Sequence, residues 1–406
     1  MEWGWGKTLF KGDKYLWIII IVLIVASVML VYSSSSRLAY DKQHGDLTYY
    51  ILRHSFFLVL SIVVLVVTCK IEPMRFAQFS IVGLIVGVAT VWAVLFIGKD
   101  INGSSRWISI GAFSFQPSEI AKVALVVFVA KVLALHTKNP KEAFWPIIIA
   151  SALVCFPILI ENLSTALLIG TTIFLMMIIG CVPTRYILGI VTSVVLVGVV
   201  LLYLPGQFQP KRFETWKGRI ERFMNEDEEG VQSKGKNYQA LQAELAVANG
   251  GVFGVGPGKS YAKNFLPMAF SDFIYSIILE EYGWVGGFVA VALYFFILYR
   301  AMVISRRCEK AFQAYLVLGL SILIVLQAII NMSVGVGIIP VTGQTLPLLS
   351  MGGTSNVLMS FALGIILSIS AYNPGRKAKS SVVSSETSRI EQQRVSRDVE
   401  FGDDDE

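Results

Sequence analysis

Three carboxylates stand close together where a long polar loop runs back into apolar sequence, in Ser271-Asp272-Phe273-Ile274-Tyr275-Ser276-Ile277-Ile278-Leu279-Glu280-Glu281-Tyr282-Gly283. Acids at the mouth and upper turns of a membrane helix are expensive to keep ionised, so they mark binding or proton chemistry rather than packing. Asp272 has a simpler explanation as the N-cap of the helix that follows. No capping argument covers Glu280 and Glu281, eight and nine residues further on, which lie about 12–13 Å deeper by helix rise.

Cations and hydroxyls recur at three other places. Gly254-Val-Gly-Pro-Gly-Lys-Ser260 resembles a phosphate loop, but the Walker spacing needs a glycine where Phe253 stands. It reads equally as a glycine-rich turn and as a loop whose amides, with Lys259 and then Lys263, meet a phosphate. Arg106 precedes Gln116-Pro117-Ser118-Glu119-Ile-Ala-Lys122, where Pro117 suits the first turn of a helix. Glu119 and Lys122 are spaced for a local ion pair. Equally, Lys122 on an inward face makes a cationic partner for an anionic head group, and both side chains lie only about 5–7 Å from the helix start. Glu161-Asn162-Leu163-Ser164-Thr165 reads as a tight turn that caps the next helix. Thr345-Leu-Pro-Leu-Leu-Ser350-Met-Gly-Gly-Thr354-Ser355 sets proline, paired glycine and hydroxyls before the last apolar run. Irregular backbone at membrane depth is tolerated only against protein or a cavity, which predicts a re-entrant segment lining a polar pocket.

The elements that must position these groups are legible from composition. Of 406 residues, 55% are hydrophobic and 15% charged, against roughly 25% charged for soluble domains, and the mean hydropathy is +0.66. The expected fold is an all-α polytopic membrane protein. Ten apolar runs can cross about 30 Å of hydrocarbon: 15–33, 50–69, 78–97, 117–135, 144–160, 163–181, 186–204, 272–299, 311–334 and 351–372. The run at 15–33 lacks a convincing cleavage site and is followed by nine more, so it reads as a retained first helix rather than a signal peptide. Lys and Arg crowd alternate short loops, which places both termini in the cytoplasm and the 205–271 loop outside. The organisation is then a cytoplasmic stretch over 1–14, helices 1–7 over 15–204, a large extracytoplasmic loop over 205–271, helices 8–10 with the re-entrant segment over 272–372, and a disordered cytoplasmic tail over 373–406. Within the loop, 211–229 is charged and solvated, while 238–248 has helix-forming composition and ends in Asn249-Gly250-Gly251, a C-cap pattern. The tail ends in Asp403-Asp404-Asp405-Glu406 and lacks the apolar content to fold. The four cysteines lie in or beside apolar runs without metal-ligand spacing and read as small buried hydrophobes. The net charge of +6 is divided among membrane loops, and no nucleic-acid partner is expected.

Four motifs in unbroken order resemble the SEDS family (shape, elongation, division and sporulation) over residues 10–375: Arg106-Trp107-Ile108; Gln116-Pro117-Ser118-Glu119-x-x-Lys122; Leu266-Pro267-x-x-x-Ser271-Asp272-Phe273-Ile274-Tyr275 with Glu280-Glu281-x-Gly283; and Gly343-x-Thr345-Leu346-Pro347-x-x-Ser350-x-Gly352-Gly353-Thr354-Ser355. The stretches 251–260 and 343–347 are closer to its division branch than to its elongation branch. The chain departs from the family pattern at Met268 and Phe270, where a Glu and a His or Tyr are usual. It departs again at 161–165, where Gln-Pro-Asp-Leu/Phe-Gly-Thr is common, and at Met351, where a Tyr is usual.

The resemblance implies a peptidoglycan glycosyltransferase that polymerises lipid II at the outer face of the bacterial cytoplasmic membrane. Asp272 matches the catalytic position and would be the general base in a direct, inverting displacement of a lipid pyrophosphate. Arg106, Lys122, Lys259 and Lys263, with a divalent cation (Mg2+ or Mn2+), would stabilise charge building on the pyrophosphate. Glu119 would orient Lys122, Ser350, Thr354 and Ser355 would line the substrate pocket, and Glu280 and Glu281 would organise the helices beneath. Implied partners are lipid II, the nascent glycan strand, a class B penicillin-binding protein and other divisome membrane proteins at the septum. A lipid II flippase, an elongation-type polymerase and a non-catalytic scaffold are the rival readings. Placement argues against the flippase, because the charged candidates are expected at the outer surface and transporter sites usually lie at the midplane.

Overall fold

Backbone that crosses hydrocarbon must satisfy its own hydrogen bonds, and helix is how this chain does so. The structure, a computed structural model, describes residues 11–34, 48–98, 107–110, 113–203, 218, 236–266 and 269–372. Arg106, Met268, the charged 211–229 stretch apart from Gly218, and the 373–406 tail lie outside the described residues. The helices are α1 (Lys14–Ser34), α2 (Thr48–Cys69), α3 (Pro73–Ile97), α4 (Pro117–Leu135), α5 (Pro140–Glu161), α6 (Leu163–Ile179), α7 (Thr184–Tyr203), α8 (Lys236–Gly250), α9 (Ile274–Ser305), α10 (Ala311–Gly335) and α11 (Thr354–Tyr372). Seven of them (α1, α2, α3, α5, α9, α10 and α11) are long and apolar enough to cross a membrane, which makes this a multi-pass membrane protein. Of the others, α6 has 17 residues and α4 carries Glu119, Lys122 and Lys131. Every apolar run of the sequence coincides with one of these helices to within a few residues at its ends, and α8 covers the predicted 238–248 helix.

Local chemistry sets several helix starts. Proline occupies the first turn of α3, α4 and α5, where its missing N–H is not needed. Asn162 caps α6, its Oδ1 accepting from Thr165 N–H at 3.3 Å. The carboxylate of Asp13 accepts from the backbone of Tyr15 and Leu16, capping α1, and pairs with the Arg300 guanidinium of α9, which stacks 4.6 Å over the Tyr15 ring. The bundle packs α11 along α2, α3 on α4, and α10 against α9, α4 and α6. Leu16, Leu65, Leu125, Leu168 and Leu320 are fully buried between them. A small feature not anticipated from the sequence is a two-stranded antiparallel hairpin, β1 (Ile108–Ile110) with β2 (Phe113–Phe115), which pairs Ile108 with Phe115 just before α4.

The largest departure from the sequence reading is α9, expected as one helix over 272–299. It is broken at Gly283, whose φ of 66° and ψ of −168° are not helical. Leu279 and the Tyr275 hydroxyl pack against Gly287, although residues 279 and 287 would be about 12 Å apart in a continuous helix. The chain therefore turns back at Gly283, and 274–282 and 284–305 are two arms of a helical hairpin. This reverses the expected order of the acids. Ser276 Oγ donates to the carbonyl of Gly335, the last residue of α10, whereas the carbonyl of Asp272 accepts from Asn331, one turn earlier. Glu281 accepts from Ser33 at the end of α1. The first arm thus climbs from Asp272 towards the α8 end of the bundle, so Glu280 and Glu281 stand at the rim and Asp272 is the deepest of the three. Rise-per-residue arithmetic missed this because it assumed one helix direction.

Candidate active site

Asp272 sits half-buried in a turn immediately before the first arm. It is not the N-cap of α9: Phe273 takes that position, with no side-chain capping bond. The turn is gripped through its backbone. Ser350 Oγ donates to the carbonyl of Ser271 at 2.7 Å, and Met351 N–H donates to the carbonyl of Phe270 at 2.9 Å. Ser271 Oγ donates to Asp272 Oδ1 at 2.9 Å. The gripping segment, 345–351, is in no helix, yet Leu346, Leu348, Leu349 and Ser350 are buried. Its internal bonds replace the missing helix: Leu346 N–H donates to Ser350 Oγ, Leu348 N–H to Asn356 Oδ1, and Asn356 Nδ2 to the Ser350 carbonyl.

Two amides of α10 hold this assembly from the side, and both escaped the sequence reading. Gln327 and Asn331 are fully buried one turn apart. Asn331 Nδ2 donates to the carbonyls of Asp272 (3.0 Å) and Gln344 (2.7 Å), and Gln327 Nε2 donates to the carbonyl of Thr345 (2.9 Å). Asn331 Oδ1 is buried with no partner among the described residues. The legible signal was their i, i+4 spacing inside the otherwise apolar 311–334 run, since polar side chains in a membrane helix face a partner or a cavity. Gln344 Nε2 ties the same strip of chain to Thr165 of α6 at 2.7 Å.

Behind the amides lies the α4 pair. Lys122 is 0% exposed. Its ammonium is 2.8 Å from each oxygen of Glu119 and donates to Glu119 Oε1 and, at 2.6 Å, to Gln327 Oε1. Glu119 Oε2 also accepts from Ser355 Oγ at 2.9 Å. Of the two readings open for this pair, the structure has the local ion pair, extended by Gln327 and Ser355 into a closed network. That network stands eight residues below the end of α10, about 12 Å by helix rise. The surface placement expected for these charges is thus corrected: the residues between Gln116 and Lys122 run down into the bundle. Among the pocket hydroxyls, Ser350 and Ser355 are engaged as described, while Thr354 Oγ1 is buried with no partner among the described residues.

Lys259 and Lys263 stay at the rim and are not brought to Asp272. The Lys263 ammonium donates to the Gly258 carbonyl at 2.6 Å, and Lys259 is exposed. Glu280 accepts from Ser260 Oγ and from the backbone N–H of Tyr261 and Ala262, which fixes the 3-10 turn Ala262–Asn264. The glycine-rich loop has a structural use here. Val255 and Gly256 donate to the carbonyls of Glu280 and Glu281, and Trp284 and Val285 donate to those of Gly251 and Val252. These four bonds satisfy backbone groups that the break at Gly283 would leave open. Gly254, at φ 81°, lies so close that a Cβ would overlap the Glu281 carbonyl.

The carboxylate donor set bears on a metal. Among the described residues no three His, Cys, Asp or Glu side chains converge. Mg2+ needs no such cage, since it keeps waters and binds through one or two carboxylates and substrate phosphates. An ion that arrives with a phosphate-bearing ligand would need no more from the protein than one carboxylate such as the half-buried Asp272. The arrangement as a whole holds one half-buried carboxylate on a hydrogen-bonded backing inside the bundle. That composition suits proton abstraction from a hydroxyl.

Residues 13–374 match the family model described as cell cycle protein, of FtsW, RodA and SpoVE. The chain is 34% identical over 360 residues to a probable peptidoglycan glycosyltransferase FtsW of Pseudomonas fluorescens, covering 86% of this chain and 85% of that protein. It is 32% identical over 374 residues to stage V sporulation protein E of Bacillus subtilis, covering 89% and 97%. Its fold is similar to a chain of a solved peptidoglycan synthase complex that coordinates polymerization and crosslinking, with a TM-score of 0.71 at 22% identity over 89% of this chain and 98% of that one. The rod shape determining protein RodA of Thermus thermophilus gives 0.65 at 21% identity, over 89% and 97%.

Proposed function

The chain belongs to the cell cycle protein family of FtsW, RodA and SpoVE, and from that premise we propose that it is a peptidoglycan glycosyltransferase polymerising lipid II during septum synthesis, with Asp272 as general base. The observation that carries the reading is the backbone grip on the turn before Asp272, which fixes one half-buried carboxylate inside an apolar bundle. A sugar hydroxyl loses its proton to Asp272 as its oxygen bonds to the anomeric carbon of a second lipid II. The bond from that carbon to the pyrophosphate breaks, and its electron pair leaves with the lipid pyrophosphate. Attack opposite the leaving group inverts the centre and needs one base. Arg106 supplies positive charge at the pyrophosphate, and Lys122 acts from behind through Glu119 and Gln327. Bound Mg2+ or Mn2+ would add charge neutralisation at the leaving oxygens. Thr354 Oγ1 and Asn331 Oδ1 are two of the buried groups among the described residues that keep hydrogen-bonding capacity, and they would meet substrate hydroxyls.

Loop charge supports a cytoplasmic-membrane protein with both termini inside and ten crossings, and the α8 end is then the outer one. The solved synthase complex supports a class B penicillin-binding protein as partner, with other divisome membrane proteins beside it. A flippase remains the second reading because the charged network is sunk in the bundle rather than exposed at its rim. Purified protein with its partner, supplied with fluorescent lipid II, separates the two. Glycan polymer is expected from the unchanged protein, and Asp272→Ala should reduce it by roughly 10²–10⁴-fold. Full polymerisation by Asp272→Ala would remove the general-base assignment.

A further inference from the structure

Among the buried ionisable groups, His54 of α2 has no place in the chemistry above. It is 3% exposed. Its Nε2 lies 3.0 Å from Ser27 Oγ of α1, and Ser27 Oγ lies 3.0 Å from the carbonyl oxygen of Leu349. A serine hydroxyl has one proton, and a carbonyl can only accept. Ser27 therefore spends its proton on Leu349 and must accept from His54, so the imidazole carries hydrogen on Nε2. The relay has one direction, from His54 Nε2–H to Ser27 Oγ–H to the Leu349 carbonyl.

Helix packing alone would account for a buried histidine between α1 and α2, but it would not select the point where the relay ends. Leu349 immediately precedes Ser350 and Met351, the two residues that grip the carbonyls of Ser271 and Phe270. On its other side Leu348 is held at φ 64°, a conformation that a leucine keeps only when its surroundings impose it. The relay pins the carbonyl between that constrained residue and the grip.

We propose that His54 is a positioning residue for the reaction: through Ser27 it fixes the height of the 350–351 grip, and thereby the placement of the Asp272 carboxylate against substrate. This rests on the reading of Asp272 as the base. The test uses the full chain with its partner synthase, fluorescent lipid II as probe, and steady-state kinetics beside unfolding midpoints. His54→Gln places an amide N–H near the Nε2 position, whereas His54→Asn places one nearer Nδ1. Misplacing a catalytic group by an ångström or less has effects of up to about 100-fold, so His54→Asn and Ser27→Ala are expected to lower kcat by about 10- to 100-fold at nearly constant KM, with His54→Gln within about threefold of the unchanged protein. The unfolding midpoints of the Gln and Asn variants should agree. If Asp272→Asn is inactive while His54→Asn turns over as fast as His54→Gln, the positioning role is wrong and the base stands. If Asp272→Asn keeps its full rate, the base reading fails and takes this inference with it. Should His54→Asn not fold, Ser27→Ala carries the test, and unchanged kcat there overturns the relay.

Discussion

Replacing Gly283 by alanine would test the hairpin on which the order of the acids depends. The residue sits at φ 66°, ψ −168°, a region reserved for glycine, where another residue costs of order 1–3 kcal/mol. A Cβ there would also overlap the Val252 carbonyl of the glycine-rich loop. Moving that loop away strains four backbone bonds: Val255 to Glu280, Gly256 to Glu281, Trp284 to Gly251 and Val285 to Val252. Each contributes about 0.5–1.5 kcal/mol net, so losing two adds about 1–3 kcal/mol. A combined destabilisation of about 2–6 kcal/mol follows for Gly283→Ala. Titration with a denaturing detergent, followed by tryptophan fluorescence, measures it, and proteolysis within 251–258 reports release of the loop. Gly170 in α6 is the control, since nothing lies within 4 Å of its would-be Cβ; alanine there should be neutral or stabilise by up to about 1 kcal/mol. If Gly283→Ala unfolds at the same detergent concentration as Gly170→Ala and keeps its loop protected, then α9 is not folded back as described.

Other outcomes follow from the pocket and its surroundings. Glu119→Gln or Lys122→Met alone leaves a buried charge without its partner and should destabilise by about 3–5 kcal/mol, whereas the double variant should recover much of that in the same titration; a double variant no better than either single would show that the pair is not closed upon itself. Asn331→Ala removes the bonds to Asp272 and Gln344 and is expected to slow lipid II polymerisation by about 10- to 100-fold, as read by polymer length on gels. Cys308, between α9 and α10, has its thiol pushed up to about 11 by burial. Because the thiolate is the reactive form and only about one thiol in a thousand is ionised at pH 8, labelling there is slow. Maleimide labelling followed by peptide mapping should show its rate rising about tenfold per pH unit until the thiol is ionised.

The helices were legible because apolar length is a direct signal, and the pocket segment at 345–355 was legible because proline and paired glycine interrupt it. What the sequence concealed was direction. Gly283 inside an apolar run looks like any helix glycine, and only the contacts of Leu279 and Tyr275 with Gly287 reveal a reversal. The Glu119–Lys122 pair was visible from its spacing, but its closure by Gln327 joins residues 205 positions apart, which no local pattern encodes. Lys259 and Lys263 are grouped with Asp272 by the likeness of the glycine-rich loop to a phosphate site and by the family resemblance. Glu280 holds the loop between them from the far end of the first arm, which keeps the two lysines a helix length away from the Asp272 turn.

The hold on the Asp272 turn has a consequence for sequence divergence. Its flanking contacts run to the carbonyls of Phe270 and Ser271 and, at Met351, from a backbone amide, so they are blind to the side chains at 270 and 351. Those are two of the positions at which this chain departs from the pattern of the SEDS family. Such positions can drift under selection without moving the carboxylate, while Ser350, whose hydroxyl is itself one of the contacts, cannot. A survey of variants that survive in growing cells should find 270 and 351 permissive and 350 confined to residues that keep the hydroxyl.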